Sequence, residues 1–179
     1  MTANQFAEAL RVCAPPAEKL RQLGVSSGGI ERTLAGYFSK LRPDSSTTQG
    51  KEPLIDLIEN YDLSKVDIGS IRFDSIVERT GPKWRIGTFA SDLLVVDPQS
   101  GEIQVEEFPS AGHLLWECAE SGSKFLDALV LAARFLGCCS WDVELYDDQA
   151  AHKRVANECT IAAGGDRYRD FYLVLCGCD

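Results

Sequence analysis

Two pairs in this chain have residue types that could do nucleophilic chemistry: Cys118 with His113, five residues apart, and Cys159 with His152, seven apart. A thiol beside an imidazole can act as nucleophile and base, with a carboxylate such as Glu117 or Glu158 orienting the ring. Neither pair sits in a local catalytic signature, and Leu114, Leu115 and Trp116 surround Cys118 with apolar neighbours. Cysteine is among the most buried residue types, so packing is the expected role of these thiols and no catalytic residue is assigned.

The seven cysteines, Cys13, Cys118, Cys138, Cys139, Cys159, Cys176 and Cys178, are odd in number and scattered, unlike a secreted disulfide framework. They read as reduced thiols. Cys138-Cys139 and Cys176-Gly177-Cys178 lack the two-residue gap of a zinc knuckle, and the two histidines are isolated, so neither a metal nor another cofactor is expected. Gly28-Gly29 and Gly164-Gly165-Asp166 neither follow a strand nor carry the lysine of a phosphate loop; they read as helix punctuation.

Charge is unevenly placed. The net charge is −9, and its distribution is uneven: through Lys51 there are seven Lys/Arg against four Asp/Glu, leaving eleven against twenty-three beyond it. Between Asp97 and Glu120 stand six acids and no Lys or Arg, and Asp142, Glu144, Asp147 and Asp148 follow, also unrelieved. Such a surface repels phosphate backbones, which disfavours direct nucleic-acid binding and allows a basic protein partner; the alternative reading is that these acids only confer solubility. No run of eighteen apolar residues occurs, and the N-terminus lacks the charged-then-apolar order of a secretory signal, so a cytoplasmic protein without membrane insertion is expected.

At 179 residues and 45% hydrophobic, the chain suits one well-buried core. A short helix around Phe6 to Val12 is followed by Pro15-Pro16. A second helix carries Ile30, Leu34, Tyr37, Phe38 and Leu41 on one stripe, with Ser27 as cap and Arg42-Pro43 as stop. Residues 43–53 are polar and punctuated by Gly and Pro, and read as a mobile loop before the brief helix LIDLIENY. Then the period changes to two. Ile71 to Val77, Trp84 to Ile86 and Leu93 to Val96 read as an antiparallel meander, and Asp97-Pro98-Gln99-Ser100-Gly101 has proline and glycine where a hairpin turn requires them. Lys124 to Leu136 is apolar nearly all round and is expected to stop at Gly137 and to bury Phe125, Leu129 and Leu136 against Leu94 and Val96. This order gives an α+β fold in which an antiparallel sheet meander packs against helices on one side.

Within that pattern, Ile86-Gly87, Asp92, Asp97, Gly101 and Ile103 resemble the I-G-x4-G-D-x4-D-x3-G-x-V signature of the SUKH (SMI1/KNR4) superfamily. Ala119, Ser121, Phe125 and Leu126 resemble its entry into the closing helix. Ser91 stands where the family has glycine, and Gly122 where it has phenylalanine. The resemblance spans about Tyr61 to Gly137 and implies a single SUKH-like domain over 1–179: N-terminal helices 1–42, the loop 43–53, a core 61–137 and a C-terminal helical extension 138–179. These motif residues read as architectural. The function would then lie in presented surfaces.

Many bacterial members of that superfamily are immunity proteins that bind and neutralise a toxin, often a nuclease or deaminase; others are regulatory scaffolds. The resemblance therefore implies a non-enzymatic immunity protein with a basic toxin as partner, the alternative being a regulatory scaffold or a peptide- or ligand-binding module. Glu102, Glu106 and Glu107, with alternation placing the first two on one face, together with Asp142, Glu144, Asp147 and Asp148, are the expected acidic contacts. Trp141 and Tyr146 are the expected aromatic anchors. For a ligand-binding module, Tyr168, Phe171, Tyr172 and Leu175 would line a groove between sheet and helices.

Overall fold

The computed structural model describes residues 1–43, 45, 51–110 and 112–178. Most of the loop expected at 43–53 lies outside the described residues.

Helix α1 (Ala3–Val12) starts at a reciprocal cap, in which Gln5 N donates to Thr2 Oγ1 and Thr2 N donates to the Gln5 side chain. Its apolar face, Phe6 and Leu10, is fully buried. After α2 (Ala17–Gln22) comes α3 (Ser27–Ala35), whose cap is Ser26 rather than Ser27: Gly29 N donates to Ser26 Oγ. The helix also ends earlier than its apolar stripe suggests. Lys40–Leu41 form β1, paired antiparallel with β2 (Tyr61–Asp62), so Phe38 and Leu41 are left exposed. The intervening α4 (Pro53–Asn60) has Pro53 at its first turn, where proline's missing N–H costs nothing, and Glu52 as its cap.

The five strands β3 (Ile71–Glu78), β4 (Trp84–Phe89), β5 (Asp92–Val96), β6 (Ile103–Glu106) and β7 (Leu114–Ala119) lie side by side in chain order, each antiparallel to the next. Alternation sends Ile71, Phe73, Ile86, Leu94, Val96, Ile103 and Val105 to one face, where all are buried. The helix α5 (Gly122–Cys139) covers this face with Phe125, Leu126 and Leu129, each fully buried, while Leu136 is only partly so. Gly137 does not stop α5. It lies inside the helix because a Cβ there would collide with the carbonyl oxygen of Cys13. The demand for glycine is tertiary.

Short α6 (Val143–Asp147) leads into α7 (Gln149–Ala163), a 3-10 turn (Asp166–Tyr168) and α8 (Arg169–Leu175). These elements complete the core rather than extend from it. Tyr168, Phe171, Tyr172 and Leu175 are buried, and the Phe171 ring meets Phe89 edge-on at 5.1 Å. The groove expected along this helix is therefore filled by its own aromatics. A core bounded at 61–137 is too small: the cluster of buried residues runs from Ala3 to Cys176. Among the described residues, no helix is long and apolar enough to cross a membrane.

Candidate functional site

Neither thiol–imidazole pair is brought together. Cys118 is fully buried on β7, its thiol pushed well up by burial, and its Sγ faces Trp116 O. His113 precedes the strand, exposed, with Nδ1 at 2.9 Å from Glu107 Oε2. Five residues of extended chain put the two roughly 16 Å apart. On α7, Cys159 lies about two turns beyond His152. Cys159 Sγ donates to Ala128 O at 3.4 Å, whereas both His152 nitrogens face backbone carbonyls. Glu117 orients no imidazole; it holds Arg167. Among the described residues, no group of three or more His, Cys, Asp or Glu is placed to hold a metal ion.

The motif residues act on the backbone. Asp97 Oδ1 accepts from Gln99 N at 2.8 Å and from Ser100 N, which holds its carboxyl below the ordinary aspartate value, while Gly101 takes φ +81° and donates back to Asp97 O. Asp92 Oδ1 accepts from Phe108 N, tying the end of β6 to the start of β5. Gly87 lets β3 and β4 approach, because a Cβ there would run into Arg72 O. Ile86, Ile103, Ala119, Phe125 and Leu126 are buried, and Ser121 Oγ caps α5 by accepting from Lys124 N. The positive φ of the β4–β5 turn falls on Ala90, so position 91 has no special need of glycine. Gly122 is required here: a Cβ would strike the Glu52 carboxylate and Leu54 Cβ.

The expected acidic face separates into two. Glu102 and Glu106 do share the sheet face opposite α5, but neither is free. Glu106 is buried, with Oε1 at 2.5 Å from Lys83 Nζ and Oε2 accepting from Gly112 N at 2.8 Å. Lys83 also donates to Gln104 Oε1. Glu102 Oε1 is 2.7 Å from Arg167 Nη1 and accepts from Tyr168 OH at 3.1 Å. Glu107 lies just past β6 and faces His113. The cations that neutralise this face come from distant parts of the chain, which alternation within one strand does not disclose.

The remaining acids stand at the other end of α7. The hairpin side abuts that helix's C-terminus, where Glu120 N donates to Ala163 O, and α6 lies at its N-terminus, about 22 Å away for 15 residues. Asp142 caps α6 by accepting from Leu145 N, and Asp148 caps α7 by accepting from Ala150 N and Ala151 N. Glu144 and Asp147 are exposed and make no ion pair among the described residues. Tyr146 and Val143 are 61% and 63% exposed beside them. Trp141 is half-buried, its ring under Lys19 Nζ at 5.7 Å.

On the sheet face, a groove of about 480 Å³ runs over Leu93 and Val95 between Lys83, Arg85, Phe108 and Pro109. No sequence pattern marked it, because Phe108, Pro109 and Gly112, which help to wall it, follow no regular period.

The chain matches no family model, no curated protein and no solved structure.

Proposed function

We propose that this is a non-enzymatic immunity-type protein of SUKH-like architecture, which holds a basic toxin domain through the acidic, aromatic-bearing pole at α6. One observation carries the reading: on the hairpin, Glu106 and Glu102 are paired internally with Lys83 and Arg167, whereas Glu144 and Asp147 stand exposed beside Tyr146 and Val143 without an ion pair among the described residues. A nuclease domain carries basic residues to hold phosphate, so an acidic inhibitor can occupy or overlie that site. The exposed tyrosine and valine add the apolar contact from which most affinity must come, since rim charges are screened at cellular salt. Supporting the family assignment are the in-order meander and the backbone roles of Asp92, Asp97, Gly101 and Ser121.

The experiment is neutralisation. The product of the neighbouring reading frame, expressed alone, should arrest growth, and co-expression of this protein should restore it. A variant carrying Glu144→Gln, Tyr146→Ala and Asp147→Asn should restore it less. Absence of rescue by the wild type would overturn the reading. A second reading, a regulatory scaffold or peptide-binding module, is favoured by the groove over Leu93 and Val95, where 59% of Phe108 is exposed. Under that reading, Phe108→Ala would abolish partner binding and the α6 variant would not.

A further inference from the structure

Helices α7 and α8 form an antiparallel hairpin. At its closed end Gly164 abuts the Tyr168 ring, where an added Cβ would come within 3.0 Å, and at its open end His152 Nδ1 lies 2.5 Å from Cys176 O. The facing stripes are His152, Ala156, Cys159 and Ala163 on α7, and Tyr168, Tyr172 and Cys176 on the α8 side, all buried. Counting about 1.5 Å per residue from the closed end puts Cys176 level with Ala156, one turn from Cys159. Helical side chains lean towards their own N-terminus, and because the two helices run in opposite directions, the two thiols lean towards each other.

The sulfurs meet in a hydrogen bond. Cys159 has one proton and two acceptors, Ala128 O at 3.4 Å and Cys176 Sγ. Donation to Cys176 favours the thiolate there and draws that thiol below its ordinary value despite burial, while the same bond holds the proton on Cys159 and, with burial, pushes its titration up. A nucleophilic sulfur and a resolving thiol are thus side by side. Cys138 and Cys139 are instead consecutive in α5, where successive side chains point about 100° apart. Cys118 Sγ faces Trp116 O, and Cys13 Sγ faces Ala9 O and Val130 O.

We propose that Cys159 and Cys176 are an oxidisable dithiol whose disulfide locks α8 onto α7, an inference independent of the immunity reading. The oxidant is a peroxide. The Cys176 thiolate attacks one peroxide oxygen, breaking the O–O bond and giving a sulfenic acid and hydroxide, which takes up the proton that Cys176 lost on ionising. Cys159 then attacks the Cys176 sulfur, its own proton passing to the departing hydroxide; the S–S bond forms and the S–O bond breaks. Two thiols are oxidised, the peroxide is reduced, and two waters are released. Both sulfurs are buried, so peroxide reaches them when the C-terminal end of α8, a seven-residue helix, opens locally, and the disulfide then closes off that opening.

The test exposes the reduced full chain to hydrogen peroxide, blocks the remaining thiols with iodoacetamide and maps the peptides without reduction. A Cys159–Cys176 cross-linked peptide, lighter by two hydrogens than its parts, should dominate, with five of the seven cysteines still alkylated. The two positions are seventeen residues apart, so the closed ring constrains the unfolded chain and the Tm should rise by roughly 6–12 °C, falling back on treatment with dithiothreitol. In Cys159→Ala, Cys176 should stop at the sulfenic acid and be captured by dimedone; in Cys176→Ala neither the cross-link nor the rise in Tm should occur. Four results on the wild type overturn the proposal: all seven cysteines alkylated, sulfinic acid at Cys176 without a cross-link, a dominant cross-link between other cysteines, or a Cys159–Cys176 cross-link that leaves the Tm unchanged or lower. None of these four depends on a variant that might fail to fold.

Discussion

Tyr172 is fully buried in α8, and its hydroxyl finds no hydrogen-bond partner among the described residues, so Tyr172→Phe is expected to stabilise the protein. The oxygen lies near Cys118, Cys159 and Cys176, and burial drives the phenol's titration far above its ordinary value. An unsatisfied buried hydroxyl costs about 1–3 kcal/mol. Against this, removing the oxygen forfeits a few van der Waals contacts, roughly 0.5 kcal/mol together. The net gain is therefore about 0.5–2.5 kcal/mol. At about 2.1 cal/mol/K per residue, unfolding a chain of this length carries an entropy near 0.4 kcal/mol/K, so the Tm should rise by roughly 1–6 °C. Urea titration gives the free energy directly, and the slope should be unchanged because the unfolded surface is nearly the same. Tyr172→Ala is the control: it opens a cavity at the junction of α7, α8 and the sheet and should cost about 3–5 kcal/mol. If Tyr172→Phe instead loses more than about 0.5 kcal/mol, the hydroxyl has a partner, and the packing of α8 described above is wrong.

Lys83→Met should cost about 1–3 kcal/mol by stranding the Glu106 carboxylate, whereas the double variant with Glu106→Leu should recover most of that loss in the same denaturant titration, because both charges are then gone. Glu52 should give a pH signature. Burial raises its carboxyl above the ordinary 4.5 despite the backbone N–H groups that oppose the shift, so the folded state binds the extra proton and stability falls as pH rises from 4.5 through the folded value. Glu52→Gln should remove that fall from a stability profile measured between about pH 4 and 8, and an unchanged profile would refute it.

What the sequence disclosed was local. The β5–β6 hairpin was legible because Asp97, Pro98 and Gly101 act on one another within five residues, and α5 because an all-round apolar helix must be buried. Where partners are distant in the chain, the same reasoning failed. Gly137 looked like a stop because glycine often follows helices; it serves instead the approach of Cys13, more than a hundred residues earlier. The stripe through Phe38 and Leu41 was broken by pairing with Tyr61 and Asp62. Alternation placed Glu102 and Glu106 together correctly but said nothing of Lys83 and Arg167, which consume their charge. The motif departure at Gly122 acquires a reason only when Glu52 is seen occupying the space a side chain would need.

If partner capture is steered by the α6 pole and not by the hairpin, as proposed, the association rate with the neighbouring gene product across a salt series will show it, for the wild type, a Glu144→Gln/Asp147→Asn variant and a Glu102→Gln/Glu107→Gln variant. Steered association should fall from about 10⁸ M⁻¹s⁻¹ towards 10⁶ as salt rises, and the α6 variant should start near the high-salt value while the hairpin variant follows the wild type. A hairpin variant that slows while the α6 variant does not, or rates insensitive to salt in all three proteins, would contradict steering by the α6 pole.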